Sequence, residues 1–438
     1  MSRRYTHYLC PSQVFPDSYH SHNHTDINLP FFLIMAQAFG KLPGGVLKTP
    51  EEFTLRVPDQ DLEEFKQLLK LSKIGPETWY NKQEGGRFGV TREWLIKAKD
   101  AWLKYDWRKQ EDRINSFPNF KSKVENADLG TLDIHFTALF SNKKDAVPVI
   151  FMHGWPGSFL EFLPMLDLLV SKYTPDTLPY HVIVPSLPGY GLSADSIPLD
   201  KETTLDSVTA SLHQLMLDLG FGGGYAAQGG DVGSFTARLL SGYKECKAFH
   251  VNMLFPEEQD IAGGTDGLSP QDLERLQRGR AWGSTGNAYA LEHGTRPATI
   301  GLVLSASPLA LLAWIGEKYL EWVDARQPLQ LETILELVGL YWFTSTFPRS
   351  VYSYRPLAEG LAAGKSITIP TSKEIPFGYS AFHSEISYLP KQWAEKSYPN
   401  LKFYRTQDKG GHFAALEQPE TFLQDIEDFL ASVQVVSS

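Results

Sequence analysis

The sequence predicts an α/β fold built on a mostly parallel β-sheet, with a helical cap inserted between two of its strands. Three observations carry that reading. Short apolar runs of strand length alternate with helix-period stretches from Val147 onward. The stretch 255–365 interrupts the alternation with helical pattern alone. A glycine-rich turn, Gly229-Gly230-Asp231-Val232-Gly233, stands between a strand and a helix.

Composition fits this class. The chain has 438 residues, 42% hydrophobic and 21% charged, which is ample apolar material for a core and excludes disorder over most of the length. The formal charge of −10 argues against nucleic acid as a partner, because a phosphate backbone requires a basic surface. Cys10 and Cys246 are too few for a disulfide framework, a zinc ribbon or an iron–sulfur site. A reducing cytoplasm is the expected compartment. The nearest apolar run, Phe31-Phe32-Leu33-Ile34-Met35-Ala36, falls far short of the roughly 20 residues that span a bilayer. Arg3 and Arg4 are followed by no apolar segment of signal type, so secretion is not expected. The sequon Asn23-His24-Thr25 matters only in a secreted chain.

Taken in order, residues 1–45 are rich in His, Pro, Ser, Asn and Gly and read as a flexible tail, with Met35 a candidate alternative start. Leu62, Phe65, Leu68 and Leu69 fall at helical spacing. Thr91 to Asn115 reads as a second helical stretch, with Trp94, Leu95, Ala98 and Trp102 on one face. The period then changes: Leu132, Ile134, Phe136, Ala138 and Phe140 alternate as in a strand. Val147 to Met152 suits a buried parallel strand. Tyr180 to Val184 is the next strand, and the stripe Leu205, Val208, Leu212, Leu215, Met216, Leu219 is a helix stopped by Gly220. Tyr225 leads a strand into the glycine turn, Phe235 to Leu240 is helical, and Ala248 to Met253 is a strand. After the helical insertion, Ile367 to Ile369 and Leu401 to Tyr404 are strand candidates, and Thr421 to Val433 closes as a helix. The core is thus expected in two parts, 141–254 and 366–438, around the cap at 255–365.

The glycine turn has the form of a nucleophile elbow, in which a tight strand-to-helix turn exposes its central side chain, here Asp231. His153-Gly154-Trp155-Pro156-Gly157 follows the strand ending at Met152. In an α/β-hydrolase fold, a loop there and the residue after the nucleophile supply the oxyanion-hole amides, so Trp155 and Val232 are the candidates. Gly410-Gly411-His412-Phe413 lies before the last helix, and the order nucleophile, acid, histidine matches that fold. Glu385 is the favoured acid, with Asp408 and the cluster Glu257, Glu258 and Asp260 as competitors.

A carboxylate with an ordinary pKa near ~3.9 is ionised at neutral pH and needs no base before it attacks a saturated carbon. A histidine is then free to activate the water that cleaves the resulting ester. Such a set implies cleavage of a carbon–heteroatom bond, with a halide or an epoxide oxygen leaving. A halide commonly calls for a Trp after the nucleophile, where this chain has Val232. An epoxide oxygen needs a proton donor, and Tyr, with a pKa of ~10, stays protonated for that task. Tyr289, Tyr319, Tyr341, Tyr352 and Tyr354 all fall in the cap, and composition does not choose among them.

With these motifs the sequence resembles the microsomal-type epoxide hydrolases, most closely their soluble fungal members. The resemblance covers about residues 46–434 and rests also on Leu71-Ser72-Lys73-Ile74, on Tyr289-Ala290-Leu291-Glu292-His293-Gly294-Thr295-Arg296-Pro297 and on Gly411-His412-Phe413-Ala414-Ala415-Leu416-Glu417. It implies an α/β-hydrolase fold with a cap and an N-terminal meander, 46–140, that wraps both. It implies Asp231 as nucleophile, His412 as base, Glu385 as the acid that orients it, and Tyr289 and Tyr354 as donors to the epoxide oxygen, with Tyr352 the near rival of Tyr354. Fungal members often carry Asp where Glu385 stands. The resemblance implies a hydrophobic epoxide and water as substrates, no cofactor and no metal, and is compatible with a homodimer. Mammalian relatives carry an N-terminal membrane anchor that is not seen here, so a soluble enzyme is expected. Residues Pro356 to Lys373 match the family only loosely. A dehalogenase and a non-enzymatic ligand receptor are the rival readings.

Overall fold

The computed structural model describes residues 35–363, 368–433 and 435. Nine strands form one sheet: β1 (Glu51–Glu52), β2 (Asn119–Asn126), β3 (Gly130–Leu139), β4 (Val147–Met152), β5 (Tyr180–Pro185), β6 (Tyr225–Gly229), β7 (Cys246–Val251), β8 (Phe377–Ala381) and β9 (Leu401–Thr406). Their order is β1-β2-β3-β5-β4-β6-β7-β8-β9. The first four in that order pair antiparallel, and every pairing from β5 to β9 is parallel. The chain leaves β4 toward β5 on one side and reaches β6 on the other. That reversal opens a crevice at the carboxyl end of β4, where ligands of open α/β sheets bind.

Local chemistry explains most boundaries. The helix Leu205–Asp218 starts at Thr204, whose side chain accepts from the Ser207 amide while Ser207 reaches back. It ends in a Schellman turn: Gly220 N donates to Leu217 O at 2.9 Å and Phe221 N to Met216 O at 3.0 Å. Gly220 has φ +90°, a conformation that favours glycine.

Three expectations are corrected. The stretch 91–115 is two helices, Arg92–Lys104 and Trp107–Asn115. Tyr105 and Asp106 are extended between them, and the Asp106 carboxylate caps the second by accepting from Arg108 N at 3.1 Å. Thr368 and Ile369 are irregular, Ile367 lies outside the described residues, and the strand before Glu385 is Phe377–Ala381. Glycine and serine in β8 hide it from a propensity reading. A Cβ at Gly378 would lie 2.7 Å from the rings of His250 and Phe429, so packing excludes a larger residue. Finally, part of the segment read as a tail is packed into the core. Ala36 and Phe39 are buried, and Phe140 N donates to Phe39 O at 2.9 Å. Residues 1–34, including Cys10 and the sequon at Asn23, lie outside the described residues.

Between β7 and β8 the chain is helical, with Pro270–Thr285, Ala288–Thr295, Pro297–Ser305, Pro308–Glu321, Leu331–Phe343 and Arg355–Ala363 as its main elements. The N-terminal helices pack on this cap. Phe65 meets Phe343 with ring centroids 5.2 Å apart, and a Cβ at Gly316 or Gly339 would run into Trp94 or Trp107. No single helix among the described residues is long and apolar enough to cross a membrane.

Candidate active site

Three loops converge at the crevice beyond β4. The first is the elbow after β6. Asp231 has φ 48° and ψ −125°, a strained conformation for a side chain larger than glycine's. Its neighbours must be glycines because the turn is so tight: a Cβ at Gly229 would lie 2.0 Å from Gly233 O, and one at Gly233 would lie 2.1 Å from Met152 O. The helix Val232–Leu240 begins one residue later, so the Val232 amide is a first-turn donor with no intrahelical acceptor.

The second loop is 153–157. Trp155 N donates to Asp231 Oδ1 at 2.7 Å. Gly154 must be a glycine, since a Cβ there would lie 2.2 Å from the same oxygen. His153 is buried and ties this loop to the next: its Nε2 accepts from Leu187 N at 3.1 Å. Burial pushes its pKa down to about 4, so the ring is neutral.

The third loop carries His412. Its Nδ1 lies 2.6 Å from Glu385 Oε1, and its Nε2 lies 3.3 Å from Asp231 Oδ2. Glu385 Oε1 also accepts from Ile386 N at 2.7 Å. Burial of the ring opposes its protonation, yet the carboxylates of Glu385 and Asp231 outweigh burial and hold His412 well above the ordinary imidazole range. The cap fixes this loop. His412 N donates to Trp322 O at 2.9 Å, and a Cβ at Gly411 would lie 2.5 Å from that carbonyl. Glu417 accepts from both Phe413 N and Asp324 N, at 3.0 and 2.8 Å.

Glu385 is the acid on His412 Nδ1, while two of its competitors, Glu257 and Glu258, line the large cavity between cap and core. Asp408 is exposed, Glu257 pairs with Arg238 at 3.0 Å, and Asp260 accepts from Glu257 N and Ser397 Oγ. The five cap tyrosines also separate. Tyr319 and Tyr341 donate to the carbonyls of Pro156 and Gly157, at 2.8 and 3.0 Å, so they clamp the second loop. Tyr352 packs against Tyr190. Tyr289 and Tyr354 line a cavity of about 750 Å³ between cap and core, together with Asp231, Phe255, Trp282 and Ile386. Tyr289 stacks on Trp155 at 5.1 Å and 15°, and its ring meets Tyr354 edge-on at 5.6 Å. Burial, and then the Asp231 charge beside Tyr289 and the Tyr289 phenol beside Tyr354, push both hydroxyls well above the ordinary phenol range. Both therefore carry their protons. Among the described residues no group of three or more His, Cys, Asp or Glu side chains is arranged to hold a metal.

A sheet with this order, an acidic residue on the elbow after β6 and a His loop before the last helix define an α/β-hydrolase. Residues 147–273 match the family model for the alpha/beta hydrolase fold, and residues 50–162 match the model for the epoxide hydrolase N terminus. Epoxide hydrolase 1 of Sus scrofa is 31% identical, over 87% of this chain and 88% of its own length. The solved structure of Aspergillus niger epoxide hydrolase is 47% identical, with a TM-score of 0.82, over 90% of this chain and all of that one. Juvenile hormone epoxide hydrolase from the silkworm Bombyx mori is 25% identical, with a TM-score of 0.76, over 88% of this chain and 94% of that one. The chain belongs to the epoxide hydrolase family.

Proposed function

We propose that the chain converts hydrophobic epoxides to vicinal diols through an ester on Asp231. The observation that carries this reading is the division of labour around one carboxylate. Oδ1 is held by the Trp155 amide, while Oδ2 faces His412 and shares the large cavity with two protonated tyrosines.

The epoxide oxygen accepts hydrogen bonds from Tyr289 and Tyr354. An Oδ2 lone pair bonds to a ring carbon, the ring C–O bond breaks, and its electron pair takes a proton from one tyrosine. Esterification removes the Asp231 charge, one of the two that hold the His412 proton. The imidazole then passes that proton to the tyrosinate and can act as a base. Held by Glu385, it takes a proton from water, whose oxygen attacks Cγ. The charge that develops on Oδ1 meets the amides of Trp155 and Val232. The alkyl–oxygen leaving group collects the His412 proton and departs as diol. The acid left on Asp231 gives its proton to His412, which restores the starting ion pair.

The test is diol formation from racemic styrene oxide by the wild type and by Asp231→Ala. Diol from the first and none from the second is expected. No diol from the wild type across a panel of epoxides, with halide released from a haloalkane, would overturn the assignment.

A further inference from the structure

The loop that begins at His153 ends in a second buried carboxyl that the cycle above leaves unused. Glu161 is 8% exposed and sits three residues after Ser158, whose amide donates to Glu161 Oε1 at 3.0 Å. A glutamate is rarely buried this far unless it is paired. This one turns inward. A Cβ at Gly157 would lie 1.6 Å from its Oε1, so the carboxyl occupies the space that the glycine leaves beside the oxyanion loop.

The same carboxyl bounds a small cavity with Asp231, His412, Gly154 and Gly157. Its volume is about 20 Å³. That is room for one water, which needs about 10–15 Å³ and two or more polar partners. This cavity lies on the core side of Asp231, whereas the large cavity that receives the epoxide lies between core and cap.

We infer that Glu161 holds the hydrolytic water: one water proton goes to His412 Nε2, the other to the Glu161 carboxyl, and a lone pair is left toward Asp231 Cγ. The assignment rests on the ester reading above. It explains how water reaches the ester while the alkyl group fills the opposite side. Burial pushes the Glu161 pKa up to about 8, with the His412 charge opposing. A protonated carboxyl still accepts through its carbonyl oxygen, so the role does not require the anion.

The experiment separates the half-reactions by rapid quench and intact-protein mass after mixing with styrene oxide. Glu161→Met is expected to alkylate at close to the wild-type rate while its ester decays roughly 10–100-fold more slowly, because the water is no longer positioned. Glu161→Gln, whose amide carbonyl still accepts, is expected to stay within about threefold of the wild type. Glu161→Asp withdraws the acceptor by one methylene and gives the same split should the methionine variant not fold. Equal loss in both half-reactions, unchanged ester decay in Glu161→Met, or a glutamine variant as slow as methionine would overturn the role. His412→Gln is the control. If it traps no ester, the ester reading itself fails and this role with it.

Discussion

The Trp155 amide is hydrogen-bonded to Asp231 Oδ1 at 2.7 Å before any substrate arrives. In the proposed cycle that bond leaves Oδ2, which faces His412, as the attacking oxygen. On the same proposal the Trp155 amide would need no reorganisation as charge develops on Oδ1, the condition under which such donors act most strongly. The stack of Trp155 on Tyr289 couples this geometry to the cap.

The paired tyrosines are expected to share proton donation. Tyr289→Phe and Tyr354→Phe should each lower alkylation by about 10–100-fold, and the double variant should lose nearly all of it. The check is single-turnover ester formation. A single variant as inactive as Asp231→Ala would refute shared donation.

Glu385→Gln should slow ester hydrolysis by about 100-fold while ester still forms, which mass measurement on quenched reactions detects. It should also change stability with pH. The native pKa of His412 is raised above its ordinary 6.5. Its contribution to stability is therefore complete below that value and is lost as pH rises through the native one. Removing Glu385 shrinks this contribution, so the Tm gap between wild type and variant should be larger on the acid side and narrow at alkaline pH.

The elbow stores strain. Asp231→Gly and Asp231→Ala both delete the carboxylate, but only glycine is at ease at φ 48°. The glycine variant should be the more stable by about 1–2 kcal/mol, read from denaturant midpoints, with neither forming diol. Equal midpoints would show that the conformation costs nothing.

Tyr319→Phe and Tyr341→Phe each leave a buried loop carbonyl without its donor. Each should cost about 1–3 kcal/mol of stability and slow ester hydrolysis more than alkylation, since the loop carries an oxyanion donor. Thermal melts and the two half-reaction rates test this.

Much of the site was legible because its chemistry is local. The glycines around Asp231, His153-Gly154-Trp155-Pro156-Gly157 and Gly410-Gly411-His412 are required by turns and close approaches that a few neighbouring residues define. Parallel strands such as β4 were legible because burial on both faces leaves a continuous apolar run. β8 was not, because Gly378 and Ser380 are chosen by contacts with His250, Phe429 and Asp425, far away in the chain. Likewise Glu161 and Glu417 look like ordinary surface acids until the fold buries the first and sets the second against the amides of Phe413 and Asp324.

The sequence by itself determined the fold class and located the elbow, the loop after β4 and the histidine loop, since each depends on residue order over a few positions. Composition left the five cap tyrosines open and the resemblance favoured Glu385, Tyr289 and Tyr354; the tertiary structure brings Glu385 to His412, and Tyr289 and Tyr354 to the cavity that Asp231 lines. Those choices turn on which side chains meet across a crevice between cap and core. The distances there are set by packing between segments more than a hundred residues apart, from Trp155 to Tyr289 and from Asp231 to His412.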